Sequence, residues 1–139
     1  MSILYHREDT PFAPKEKRKL TDWIRKTVNE HQRNIGDLNF IFCSDNFLLN
    51  LNKSYLNHHY FTDVITFDLA EDSRISGDVF ISVDKVRSNA EEFNVSFENE
   101  LKRVMIHGVL HLLGFNDDTE ENSSSMRLLE DKALSLWEE

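Results

Sequence analysis

The segment His107-Gly108-Val109-Leu110-His111-Leu112-Leu113-Gly114-Phe115-Asn116-Asp117-Asp118 is where the sequence concentrates residues able to do chemistry. His107 and His111 are four apart. On a helix that spacing stacks two imidazoles one turn above the other, able to converge on one divalent ion. Asp117 lies ten residues beyond His107, past Gly114. A helix that ends in a glycine turn can swing such a residue back toward its own last turn, as a third ligand. Two histidines and one carboxylate would leave positions open for water and substrate, the mark of a catalytic site. Asp118 is the fallback ligand. From spacing alone the pair also reads as two boundary histidines, and both readings stay open at this point.

Gly108 sharpens the question. Inside a helix, glycine costs roughly 1 kcal/mol relative to alanine, so a glycine between the two histidines implies a close neighbour there. Gly108 also occupies the position where a zinc protease carries its general-base glutamate, so the segment is not that protease site.

The element that positions these residues is a helix opened by Ser96 and closed at Gly114. Leu101, Val104, Met105, Gly108, Val109 and Leu112 form its core stripe, and the histidines fall just beside it. Glu98 and Glu100 stand in its first turn, where they complement the helix dipole. Elsewhere the periodicities predict a strand over Ser2 to His6 and a helix from about Pro14 to His31, with Pro14 in its first turn. They predict a turn over Asn34 to Asp37 and a strand from Leu38 to Phe42. A helix capped by Ser44 or Asp45 follows, then strands from Asp63 to Leu69 and from Asp78 to Val83. Asp84 opens a short helix that ends near Phe93, and a last helix runs from Thr119 or Ser123 to Trp137. The order β-α-β-α-β-β-α-α-α predicts an α+β fold: a small mixed four-stranded sheet packed with about five helices.

Length and composition agree with one domain over residues 1–139. Cys43 is the sole cysteine, which fits a reducing compartment and excludes a disulfide framework. No apolar run is long enough to span a bilayer, and the N-terminal stretch has no secretory signal pattern. The net charge of −9 counts against nucleic-acid binding, but it is uneven. Residues 1–60 carry a balance of +2 and residues 61–139 a balance of −11. Lys15 to Arg33 is locally +4, which reads either as a solvated helix face or as an anion-facing strip. Much of the acidity, including Glu120, Glu121, Glu130, Asp131 and Glu138, belongs to the closing helix and its flanks. That face reads as solvated or as directed at a basic protein.

The His107 to Asp118 segment resembles the signature of the YbeY family of endoribonucleases, or rRNA maturation factors: His-Gly-x-Leu-His-Leu-x-Gly-[Tyr/Phe]-Asp-His. Leu51-Asn52 to Tyr55, Thr62-Asp63-Val64-Ile65-Thr66-Phe67 and Gly77-Asp78-Val79-Phe80-Ile81-Ser82 resemble further blocks of that family, and Met126 and Glu130 also fit. The resemblance implies a zincin-like metal helix and one zinc per chain, held by His107, His111 and Asp117. It implies a cytoplasmic, single-strand-type, metal-dependent endoribonuclease acting in rRNA processing, 16S rRNA 3′-end maturation and ribosome maturation, with a metal-bound water as nucleophile. The partners it implies are rRNA and a ribosomal subunit or ribosomal protein, with no membrane and no nucleotide cofactor.

Two departures stand out. The family's third ligand is usually His, and the matching residue is Asp117. A carboxylate lowers the site charge, which makes bound water less acidic and favours a harder metal such as Mn²⁺ or Fe²⁺. The family usually has Arg after the tyrosine, and here Leu56 follows Tyr55. His58 and His59 stand in as catalytic candidates, as cations or proton shuttles, beside their reading as solvated loop residues. The leading expectation places RNA in a cleft between the His107/His111 helix and the Thr62 to Phe67 strand, with the Lys15 to Arg33 helix as a guide. The alternative is a non-catalytic ribosome-assembly factor with a structural metal, its site closed by Asp118 as fourth ligand. A small-molecule or peptide hydrolase ranks last.

Overall fold

The computed structural model describes residues 2–56 and 62–138. His58 and His59 lie outside the described residues. The chain runs β1 (Ser2–Arg7), α1 (Lys17–Glu30), β2 (Ile35–Cys43), α2 (Asp45–Leu56), β3 (Val64–Asp68), β4 (Ile75–Ser82), α3 (Val83–Glu92), α4 (Phe97–Leu112) and α5 (Glu120–Ser135). This is the α+β architecture that the periodicities predict. The sheet order is β1-β2-β4-β3. β1, β2 and β4 are parallel, and β3 pairs antiparallel with β4.

Alternation along the strands assigns the two faces. Leu38, Phe40 and Phe42 of β2 and Val79 and Ile81 of β4 join Leu20, Trp23, Ile24 and Val28 of α1 and the apolar stripe of α4 in the main core. The other face is split. Cys43, Ile65, Phe67 and Phe80 lie under Phe47, Leu48 and Leu51 of α2. Nearer the β1 edge it is polar: His6 bonds Asn39 at 3.0 Å, and Asn39 donates to Asp78 at 3.1 Å. Trp23 Nε1 donates to the Ala133 carbonyl at 2.7 Å, tying the end of α5 to α1.

Four boundaries depart from the expectations. The first long helix begins at Lys17, because Glu16 takes a left-handed conformation (φ 56°) that interrupts any helical run back to Pro14. Of the turn expected over Asn34 to Asp37, Ile35, Gly36 and Asp37 are strand. Ile35 is drawn into the core and pairs with Ile75, and the reversal falls instead at Gln32 (φ 57°). β4 starts at Ile75 with Gly77 inside it, since Ile75 is itself a core residue. α3 is capped by Ser82, whose hydroxyl accepts from the Lys85 amide at 3.1 Å, so Asp84 falls in the first turn. At α2, Ser44 is the cap: its hydroxyl accepts from the Phe47 amide at 3.2 Å. For α5 it is Thr119, which accepts from Asn122 at 3.0 Å.

Helix α4 crosses the sheet at β3 and β4, and Gly108 permits the approach. A Cβ at that position would stand 2.6 Å from Val79 Cγ1 and 3.3 Å from Thr66 Cγ2. The close neighbour implied by a glycine between the two histidines is therefore the sheet itself.

Candidate metal centre

α4 starts as its sequence predicts, with the Ser96 hydroxyl accepting from the Asn99 amide at 3.1 Å. It stops in a Schellman turn. Gly114 adopts φ +102°, its amide reaches the His111 carbonyl at 3.0 Å, and the Phe115 amide reaches Leu110 at 3.1 Å. This turn does two things for the site. It brings the Phe115 carbonyl to 3.0 Å from His111 Nδ1, and it returns Asp117 to the last turn of the helix.

Three ligand atoms converge there. His107 Nε2 and His111 Nε2 are 3.0 Å apart. Asp117 Oδ2 lies 3.2 Å from the first and 3.6 Å from the second. An ion at roughly 2.0–2.1 Å from each nitrogen spans separations of this order, so the donor set and its spacing fit a divalent metal. Among the described residues this is the group of three metal-ligating side chains whose atoms all lie within 4.8 Å of one another. Asp118 does not join it; its carboxylate accepts from Asn122 Nδ2 at 2.9 Å.

Both far nitrogens are occupied. His111 Nδ1 faces the Phe115 carbonyl, an acceptor, and so must carry the proton, which leaves Nε2 as the lone-pair nitrogen. His107 Nδ1 lies 2.7 Å from Glu130 Oε2, with the same consequence. Glu130 is buried at 5% exposure. Its other oxygen accepts from Arg103 Nη1 at 2.9 Å, and Arg103 Nη2 donates to Asp131 at 2.7 Å. A chain Asp131–Arg103–Glu130–His107 therefore leads from the surface to the ligand atom. Outer partners of this kind orient metal-binding imidazoles and raise their basicity.

The electrostatics follow from these contacts. Burial pushes His107 down, but the Glu130 hydrogen bond and charge, with Asp117 behind them, outweigh it and leave its pKa raised. Burial, and then the neighbouring His107, hold His111 low. Glu130 is resisted by burial yet held below the usual carboxylate range by His107 and Arg103.

A cleft of about 250 Å³ opens beside His107. Asp63 of the Thr62 to Phe67 segment lines it, with side chains of α3 and its end, of α4 and of α5, and with Asp117 from the turn between the last two. In this cleft α5, packed along α4, supplies the wall opposite His107. α1 contributes nothing to this cleft. It shares the main core with the metal segment, and His31, just past its end, stacks edge-on against Phe115 with ring centroids 5.5 Å apart. Leu56, at the end of α2, is 41% exposed. The acidic closing helix is also not uniformly solvated, because Glu130 is buried and paired.

Arg103, Glu100, Asp63 and the orienting contact of Glu130 were not legible as site residues from spacing around the histidines. A signal existed in the helical faces. Glu130 sits in the stripe Met126-Leu129-Glu130-Ala133, and Glu100 in the stripe Glu100-Val104-His107-His111. A carboxylate in a buried stripe calls for a partner.

Comparison with known proteins agrees with this geometry. Residues 4–138 match the family model described as Endoribonuclease YbeY. The chain is 43% identical over 136 residues to the Endoribonuclease YbeY of Bacteroides fragilis, covering 98% of each chain. It is 46% identical over 134 residues to that of Phocaeicola vulgatus, covering 96% of this chain and 97% of the relative. A Thermotoga maritima protein solved in solution superposes with a TM-score of 0.68 at 29% identity, over 97% of this chain and 88% of its own. A match of this extent over a shared fold shows that the chain belongs to the YbeY endoribonuclease family.

Proposed function

We propose that this chain is a metal-dependent endoribonuclease that hydrolyses RNA phosphodiesters in rRNA processing. The observation that carries the reading is the convergence of His107 Nε2, His111 Nε2 and Asp117 Oδ2 at the rim of an open cleft, in a chain of this family. His107, His111 and Asp117 hold the ion, one per chain, with zinc as the metal. The carboxylate ligand also suits Mn²⁺ or Fe²⁺. When bound, the ion supplies Lewis-acid polarisation of a phosphoryl oxygen and lowers the pKa of water. The chain's own part is to fix the ligands: Glu130 and the Phe115 carbonyl hold the two imidazoles with Nε2 outward.

The finer reading follows the family: a single domain acting on 16S rRNA 3′ ends, in contact with the ribosomal subunit or a ribosomal protein. No helix among the described residues is long and apolar enough to cross a membrane. The lone Cys43 is buried and its thiol is pushed up to about 12, chiefly by burial, which suits an inert thiol in a reducing cytoplasm. A structural metal in a non-catalytic assembly factor would be closed by a fourth protein ligand, and Asp118 is engaged with Asn122 instead. Metal analysis of protein prepared without chelators, together with cleavage of structured RNA, tests the reading. One equivalent of metal and metal-dependent cleavage are expected. Undiminished cleavage by metal-free protein would overturn it.

A further inference from the structure

Glu100 stands in the first turn of α4, where a carboxylate ordinarily serves the helix dipole from solvent. Here it is buried, at 4% exposure, and lines the cleft beside His107. No hydrogen bond or ion pair engages its carboxylate among the described residues. The nearest cation on its own helix, Arg103, is taken by Glu130 and Asp131. Asp63, on the same wall, accepts from Asn89 at 3.3 Å. Burial, and then the charge of Asp63, push the Glu100 carboxyl above its ordinary range. Its oxygens are thus left to the solvent of the cleft rather than to a protein donor, and a ligand that brings N–H or O–H groups can take the place of that water.

The cleft narrows the class of ligand. Two carboxylates on one wall repel a phosphate. A cation would need further ligand atoms close by, yet the described cluster of three lies at His107, His111 and Asp117, while Arg103 and Arg127 share the cleft. The volume of about 250 Å³ exceeds an ion and falls below the roughly 300–1,000 Å³ that takes a whole drug-sized ligand. The lining includes Phe93, 50% exposed, and Arg127, also exposed, with the buried Met126. Aromatic rings and guanidinium planes are the surfaces on which unstacked RNA bases rest.

We propose that this cleft is a nucleobase subsite beside the metal centre, in which Glu100 accepts the N–H donors on the edge of a guanine neighbouring the scissile phosphate. Guanine presents two adjacent donors, N1–H and the 2-amino group, to an acceptor-only carboxylate that can receive both. Adenine and cytosine set one amino group beside a ring acceptor, and uracil sets one N–H between two carbonyls. Phe93 and Arg127 offer the stacking surfaces. The subsite rests on the endoribonuclease reading and adds a base preference to it.

Two measurements on the metal-loaded protein test the proposal. The first compares cleavage of single-stranded RNA carrying one guanosine with the same RNA carrying inosine, which lacks the 2-amino group. Cleavage at a fixed offset from guanosine is expected, with kcat/KM lower for inosine by about ten- to a hundredfold. In Glu100→Gln the guanosine–inosine difference should collapse. Equal cleavage of both RNAs by the wild type, or an undiminished difference in Glu100→Gln, would overturn the subsite.

The second measurement is calorimetric binding of guanosine and inosine 5′-monophosphates, which reads the subsite even where no RNA is cleaved. Failure of the nuclease reading is thereby separated from failure of the subsite. The same guanosine preference, absent in Glu100→Gln, is expected, and equal affinities overturn the proposal. Where Glu100→Gln does not fold, Phe93→Ala at its exposed position should weaken guanosine monophosphate about tenfold, and no weakening counts against the subsite. A second equivalent of Mn²⁺ that binds the wild type and is lost in Glu100→Gln would replace the base by a cation.

Discussion

Glu100 and Glu130 line the same cleft from neighbouring helices, at 4% and 5% exposure, and receive opposite treatment. Glu130 accepts from Arg103 through one oxygen and holds His107 with the other, so both of its oxygens are paired. Glu100 has no partner among the described residues and sits near another carboxylate, Asp63. The difference separates two ways of using burial. At the His107 end, low dielectric strengthens a completed network and fixes the direction of an imidazole. At the Glu100 end a carboxylate that is mostly buried meets the cleft instead of a protein donor, which leaves it open to the donors of a ligand.

The contrast yields a graded set of tests. The largest effect belongs to the centre that the paired end serves. His111→Ala should lose the metal and reduce RNA cleavage by roughly a thousandfold or more, read by metal content and single-turnover cleavage. Next comes the paired carboxylate. Glu130→Ala leaves Arg103 and His107 without their shared partner and should destabilise the fold by about 3–5 kcal/mol in urea unfolding. Its zinc affinity should fall about ten- to a hundredfold in a competition titration. Glu130→Gln sharpens the point. With Arg103 claiming the amide oxygen, the amide NH₂ faces His107 Nδ1 and favours the wrong tautomer, so affinity should fall with less loss of stability. A Glu130 variant that binds zinc normally would erase the distinction between the two ends.

Smaller effects complete the series. Gly108→Ala pushes a methyl toward Val79 and Thr66 and should cost about 1–3 kcal/mol by denaturation, since α4 must lift from the sheet. Glu100→Gln should act in the other direction and stabilise by about 1 kcal/mol at pH 7. The sign follows from linkage. The folded-state pKa of Glu100 lies above its ordinary value of 4.5. The wild type therefore loses stability as pH rises through the folded value. The advantage of the Gln variant is full above that value and vanishes below pH 4.5. Unfolding curves of both proteins along this pH range check it, and a Gln variant less stable at pH 7 would mean that Glu100 is satisfied after all.

Much of this was legible in the chain because it was local. The caps Ser96 and Thr119, the Gly114 stop and the i, i+4 histidines are short-range devices, and the structure keeps each of them. Boundaries failed where burial overrode local chemistry. Asn34-Ile35-Gly36-Asp37 has the composition of a turn, but Ile35 buries against β4 and extends the strand. Glu16 stopped a helix at a backbone angle that no spacing announces.

The sequence by itself determined the ligand-bearing helix, its stop and the offset of Asp117, because hydrogen bonds within a few residues define them. It determined the element order through periodicity. Only the tertiary structure decided what stands behind each ligand and beside it. Arg103 and Glu130 are 27 residues apart, and Asp63 and Asn89 are 26 apart. Packing α5 along α4 makes the first pair an orienting chain, and packing α3 beside β3 brings the second to the cleft wall. The same packing brings Glu100 to the cleft wall without giving it a protein donor. Helical periodicity marks a position as buried, but the answer to a buried charge comes from another element, and that is settled only when the layers meet.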